Sequence, residues 1–172
     1  MIQLTKIYHQ IIAEKKDINV AVDMTCGHGF DTLLLAQHAK KVFAFDIQEA
    51  AIEETQYRLS EFQNVTLIHD SHENIKNYVH DKIDVAVFNL GYMPGGNLSI
   101  YTSAKTTLVA LKNLFDCLAT KGLIVIEAYP HNPEEVKTVM NYVSSLKPQH
   151  DVIYSQLLNK PNAPSLFIIR KN

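Results

Sequence analysis

Three aspartates, Asp23, Asp46 and Asp70, each close a short apolar run rich in Val, Ile, Ala, Leu or Phe. If those runs are neighbouring strands of a parallel sheet, their carboxylates collect along the carboxyl edge, where open α/β sheets bind ligands. Asp46 can then accept both hydroxyl hydrogens of a ribose diol. Asp70, in His69-Asp70-Ser71-His72, can accept from an adenine amino group while nearby backbone reads the ring nitrogens. Asp23 opens the turn Asp23-Met24-Thr25-Cys26-Gly27-His28-Gly29. Its glycines let backbone approach a ligand closely, and the helix that follows presents free N–H groups. The Asp23 carboxylate can accept from those N–H groups and reach a cofactor ammonium. One such acid is more often a helix N-cap; three in register match an adenosine. The expected cofactor set is Asp23, Thr25, Cys26, Gly27, Gly29, Asp31, Thr32, Asp46, Gln48, Asp70, Ser71, His72 and Asn89. A dinucleotide fingerprint needs a third small residue, and Thr32 stands in its place.

The elements that must carry these residues alternate between strand-like and helical periodicity, the pattern of βαβ units and a parallel sheet. Helical stretches are expected at 3–15, 32–36, 49–62, 75–79, 104–119 and 133–146. Strands are expected at 19–23, 42–46, 65–69, 83–88 and 123–127, with Gly122 ending the fourth long helix and opening the fifth strand. Two further strand-like runs, 152–157 and 165–169, are joined by a Pro/Asn connection with no helix, which requires an antiparallel pair. The expected fold is therefore α/β and Rossmann-like: one domain over 1–172, a seven-stranded mostly parallel sheet with an antiparallel carboxyl-terminal pair, and helices on both faces. That is the layout of class I methyltransferases, which use S-adenosyl-L-methionine (SAM).

The fourth strand runs into Asn89-Leu90-Gly91-Tyr92-Met93-Pro94, facing the place where the methyl of SAM would sit. Methyl transfer is an in-line displacement, so a nucleophile's lone pair must be held behind the carbon and water kept out. The Asn89 amide oxygen and the Leu90 carbonyl can accept hydrogens from a substrate amine. Tyr92 can stack on a planar base. The segment looks like the Asn-Pro-Pro-Tyr tetrad of amino methyltransferases, with Leu90-Gly91 in place of the two prolines. Expected substrate contacts are Leu90, Gly91, Tyr92, Met93, Pro94, Ser99 and Thr102; the catalytic set is Asn89, Tyr92 and His131.

Over residues 22–32, 45–48, 70–72, 89–96 and 159–171 the chain resembles a small family of rRNA methylases whose better understood members are MnmM-type transfer RNA methyltransferases. The 89–96 loop is the most specific of these matches. The resemblance implies methylation of the aminomethyl group of the wobble uridine, position 34, converting 5-aminomethyl-2-thiouridine toward 5-methylaminomethyl-2-thiouridine, with the tRNA anticodon stem-loop as partner. Such an amine must lose its ammonium proton before attack. His131, Asp31 and His72 are the candidates to take it.

Composition bounds the alternatives. The chain has 172 residues, 47% hydrophobic and 20% charged, with a formal net charge of −2; this is an ordinary globular balance. No apolar run is long enough to span a bilayer and the first residues lack signal-peptide features, so a cytoplasmic protein is expected. Cys26 and Cys117 read as reduced thiols, and the eight histidines show no ligand spacing that implies a metal. Lys15-Lys16 and Lys40-Lys41 read as solvated helix ends. The acidic balance favours a small-molecule amine as the competing substrate, or a groove built across a homodimer. A ribosomal RNA substrate also stays open. A non-catalytic SAM-binding module would be marked by loss of Asn89 or of the strand-end acids, and none is lost.

Overall fold

The computed structural model describes residues 3–91 and 101–172. Its strands are β1 (Ile18–Asp23), β2 (Ala39–Asp46), β3 (Val65–His69), β4 (Ile83–Leu90), β5 (Leu118–Ala128), β6 (His150–Ser155) and β7 (Ser165–Lys171). They form one sheet in the order β3-β2-β1-β4-β5-β7-β6. Neighbours among β1 to β5 are parallel, whereas β7 runs antiparallel to both β5 and β6. The helices are α1 (Leu4–Glu14), α2 (Phe30–His38), α3 (Glu49–Arg58), α4 (Ala104–Cys117) and α5 (Pro133–Ser144), with a short 3-10 helix at His72–Asn77.

Near-continuous apolar strands are the signature of a parallel sheet covered on both faces, and the core divides accordingly. Val20 and Val22 of β1, with Phe88 of β4, pack against Leu111 and Leu114 of α4 and Val139 and Val143 of α5. Ala21, Val85 and Val87 face the other way, onto Leu4, Tyr8 and Ile12 of α1 and Leu35 of α2. Each large side chain so buried stabilises the fold by roughly 1.5–3 kcal/mol. Asn132 caps α5 by accepting from Glu135 N, and Ser103 caps α4 by accepting from Thr106 N. Both caps satisfy helix-end N–H groups beside the site.

Element boundaries shift where backbone geometry overrides periodicity. The fourth helix stops at Cys117 and β5 begins at Leu118, so Gly122 lies inside the strand. There the register slips: Ile83 faces Leu118 and Val85 faces Leu123, so β5 holds extra residues. Lys121 takes φ +61°, and a Cβ on Gly122 would lie 2.7 Å from the Ala119 carbonyl oxygen. The glycine is required by a bulge, not by a helix end. The expected helix at 75–79 is instead the 3-10 turn His72–Asn77, and α3 ends at Arg58.

Candidate functional site

A cavity of about 510 Å³ opens at the carboxyl ends of the parallel strands, within the range of small-molecule sites. Its walls include Thr25, Cys26, Gly27, Asp31, Asp46, Gln48, Asp70, Ser71, His72, Asn89, Leu90, Gly91, Thr102 and His131. Asp23, Gly29 and Thr32 stand behind that wall. Tyr92, Met93, Pro94 and Ser99 fall in 92–100, outside the described residues.

Asp23, fully buried, frames the turn. One of its oxygens accepts from Thr25 N at 3.1 Å and the other from the Thr32 hydroxyl at 2.6 Å. Burial, with the Asp31 carboxylate next, pushes the Asp23 carboxyl well above the usual range. Gly27, at φ +48°, has open space where a Cβ would be, so the turn offers bare backbone to the cavity. Gly29 is the reverse case: at φ +77° its Cβ would come within 2.9 Å of Thr55 Oγ1, and that hydroxyl donates to the Gly27 carbonyl. The second glycine thus lets the turn pack on α3. Cys26 N donates to the Phe45 carbonyl, anchoring the turn to β2. Burial raises the Cys26 thiol pKa, which keeps it from acting as a thiolate.

Asp46 accepts from Gly27 N at 3.0 Å and from Gln48 N at 2.9 Å, one bond to each oxygen. A carboxylate has about four lone-pair sites, so these backbone bonds leave room for a hydroxyl donor. Burial raises its pKa against the pull of those backbone bonds. Asp70 accepts from Ser71 N, Asn74 Nδ2 and Tyr78 OH at 2.7, 2.9 and 2.8 Å. Desolvation opposes them, but the hydrogen bonds prevail and hold this carboxyl below its ordinary value. Between the two acids Ile47 lines the cavity with 49% of its surface exposed, an apolar shelf suited to a flat ring. His72 is buried and bonds the Met24 backbone, leaving Nε2 without a partner. Burial pushes its pKa down to about 4.

At the other end, Asn89 N donates to Thr25 Oγ1 at 2.8 Å, joining the reacting strand to the glycine turn. Gly91 adopts φ +150°, and a Cβ there would sit 3.1 Å from the His131 ring. The missing side chain is what lets His131 lie against the end of β4, stacked on Tyr129 at 5.8 Å. Thr102 N donates to the Gly91 carbonyl at 3.0 Å. Buried Glu135 gathers this region: it accepts from Thr102 Oγ1, Thr107 Oγ1 and Asn132 Nδ2 at 2.8, 2.6 and 3.0 Å. Asn132 Nδ2 also reaches the Thr102 carbonyl.

Several contributors lie beyond the sequence reading. Tyr8 OH donates to the Asp31 carboxylate at 3.0 Å, and His9 Nε2 lies 2.6 Å from Asp31 Oδ1. Thr5 OH donates to Glu127, which is 2% exposed. Phe30 also lines the cavity, with the Arg58 guanidinium 3.9 Å from its ring centroid. The one sequence signal for the first group is the spacing of Leu4, Tyr8 and Ile12, which turns α1 toward the sheet; it names the helix face, not its polar partners.

Similarity to known proteins agrees with this geometry. The family model described as "Putative rRNA methylase" matches residues 42–171. A chloroplastic tRNA (mnm(5)s(2)U34)-methyltransferase of Arabidopsis thaliana is 36% identical over 96% of this chain, which spans 66% of that relative's length. Among solved structures, a "putative methyltransferase" from Streptococcus mutans in complex with SAH aligns at TM-score 0.94 with 37% identity, covering 100% of this chain and 99% of that one. An rRNA methylase from Streptococcus thermophilus aligns at 0.86 with 35% identity, covering 99% and 98%. This chain therefore belongs to the rRNA methylase family and has the Rossmann-like fold of SAM-dependent methyltransferases.

Proposed function

We propose that this SAM-dependent methyltransferase methylates a primary amine attached to a pyrimidine, namely the aminomethyl group of 5-aminomethyl-2-thiouridine at position 34 of tRNA. The single observation that carries the reading is the placement of Asn89. It stands next to the end of β4 in the cavity wall and is tied through Thr25 to the glycine turn, while the Gly91, Tyr129 and His131 surface lies beyond it. An amide there has a cofactor pocket on one side and room for a planar base on the other.

The pocket fits the cofactor in kind. Asp46 keeps lone pairs for ribose hydroxyls, Ile47 offers a flat apolar surface, and Asp70 with Ser71 stands at the adenine end. Asp31, Asp46 and Asp70 also make an acidic wall, which favours a sulfonium cation over the neutral sulfide left after transfer. SAM, when bound, supplies the electrophilic methyl. Asn89 Oδ1 and the Leu90 carbonyl accept N–H hydrogens and aim the amine's lone pair. On this reading Asp23, Gly29 and Thr32 serve the cofactor by holding the turn, and Tyr92, Met93, Pro94, Ser99 and Thr102 belong to the substrate side.

The curated relative's name supports a tRNA wobble uridine, and the family's name supports RNA more broadly. We place the enzyme in the cytoplasm, acting as one domain on the anticodon stem-loop, in a homodimer. No described helix is long and apolar enough to cross a membrane. Mass spectrometry of tRNA nucleosides from a deletion strain tests the substrate: the unmethylated aminomethyl uridine should accumulate, and unchanged nucleosides would refute it. The second reading, a free small-molecule amine, is favoured by the acidic cavity wall; purified enzyme that methylates amines but not tRNA would establish it.

A further inference from the structure

We infer that Asp31 and His9 form the route by which the substrate ammonium's proton leaves the site, an inference that rests on the amine reading above. An ammonium has no lone pair, so a proton must depart before the nitrogen can attack. The acceptor has to touch the cavity, and it has to return the proton to water. Asp31 meets the first condition, since it lines the cavity although only 6% exposed. His9 meets the second: Nε2 lies 2.6 Å from Asp31 Oδ1, while 31% of its side chain is exposed.

The other candidates fit less well. Asp46 and Asp70 stand at the adenosine end with backbone donors on their oxygens. Asp23 is enclosed. His72 also lines the cavity, but its ring is buried with Nε2 out of reach of water, and it takes a second proton only at acid pH. His131 packs against Gly91 and Tyr129 and is tested below. Position favours Asp31 as well. It is close enough to Tyr129 to help raise that hydroxyl to about 12, after burial and Glu127. Glu127 in turn pairs in register with Asn89. The dyad therefore flanks the end of the cavity where the amine is held.

The steps balance. An ammonium N–H bond breaks and an O–H bond forms on Asp31, leaving the amine neutral with its lone pair. That proton crosses to His9 Nε2 of an imidazole carrying its hydrogen on Nδ1, and the imidazolium gives the Nδ1 hydrogen to water. Tyr8 OH donates to both Asp31 oxygens and fixes the carboxylate. Its phenol stays protonated, because burial, then Asp31, Glu127 and Asp23 raise its pKa. The groups facing His9 are Asp31 of α2, Glu127 of β5 and the Tyr8 ring on its own helix. His9 acts through Asp31, so it is a positioning and relay residue.

The test is single-turnover methyl transfer to tRNA bearing the aminomethyl uridine, measured against pH for wild type, His9→Gln and His131→Gln, with SAM affinity by calorimetry. Gln at position 9 can still hydrogen-bond Asp31 but cannot ionise. His9→Gln should bind SAM within about two-fold of wild type and lose about 10²-fold in rate near neutrality. It should regain rate as pH rises and the amine arrives already neutral. A deficit constant across pH, an unchanged rate, a SAM affinity that falls with the rate, or an alkaline-rescued loss in His131→Gln instead would each overturn the relay. Wild-type enzyme inert on this RNA would overturn the substrate and the relay together, whereas active wild type with an unaltered His9→Gln profile would overturn the relay alone.

Discussion

At the scale of single residues, the two ends of the cavity should separate cleanly under mutation. Asp46→Ala removes the acceptor for Gly27 N and Gln48 N as well as the expected ribose contacts. SAM binding by calorimetry should weaken by at least about 100-fold, the equivalent of roughly 3 kcal/mol; unchanged affinity would remove Asp46 from the ribose. Asn89→Ala leaves the strand N–H to Thr25 intact. It should keep SAM affinity within about three-fold and lower the rate of transfer by about 10²-fold. The place of Asp46, Asp70 and Asn89 in the cavity wall was legible in sequence, because residues at or beside the end of a strand reach the carboxyl edge of the sheet. The adjacent roles of Asp23 and Asp31 were not, because chain spacing alone does not say which of two carboxylates eight residues apart is enclosed. Packing decided it: Thr25 and Thr32 close over Asp23, while Tyr8 and His9 hold Asp31 at the wall.

His72 offers a residue-level pH signature. Its folded pKa of about 4 lies below the ordinary 6.5 because burial excludes the charged ring. The neutral ring's contribution is intact above pH 6.5 and is lost as pH falls toward 4, by about 3 kcal/mol over that window. Raised carboxyls such as Asp46, Glu127 and Glu135 act in the opposite sense: their contribution is full at acid pH and declines as pH rises. The comparison must therefore be with a variant that changes only the histidine. Urea unfolding of His72→Phe should show a stability that, relative to wild type, improves steadily between pH 6.5 and 4. Parallel curves would mean that the ring is protonated in the native protein.

At the scale of elements, Glu135 couples four segments that the sequence presents as unrelated. It joins the first turn of α5 to Thr107 of α4, to Thr102, and through Asn132 to the turn carrying His131. Removing it leaves three buried or half-buried donors unsatisfied, so Glu135→Ala should cost about 3 kcal/mol of stability. Glu135→Gln, which can still accept from a threonine, should recover more than half of that loss in thermal or urea denaturation; equal losses would mean that only volume matters. The order and type of the strands were readable from periodicity, and so was the antiparallel last pair. The early start of β5 was not, because its bulge depends on Lys121 adopting φ +61° and on Gly122 closing over Ala119. Helical and strand periods cannot be told apart across those few residues.

Over the whole molecule, charge is arranged so that the cavity and the lysine clusters are separated. Lys15 donates to the Lys121 carbonyl, Lys40 to Asn19 Oδ1, and Lys41 pairs with Asp81. All three sit where β1, β2, β4 and β5 begin, at the sheet edge opposite the cavity. These clusters therefore brace the far edge and cannot meet the phosphates flanking a uridine held beside Asn89. An anticodon stem-loop docked over the cavity, as proposed, should therefore be held mainly by base contacts and few ion pairs. Because each neutralised phosphate contributes a slope of about −0.7 to −0.9 in log affinity against log salt, the slope should be shallower than about −3. The double variant Lys40→Ala/Lys41→Ala should bind the stem-loop within about two-fold of wild type with the same slope. A loss of affinity with a slope nearer zero would put the RNA across the amino-terminal edge of the sheet, and only a path bridging two subunits could then still deliver its uridine to Asn89.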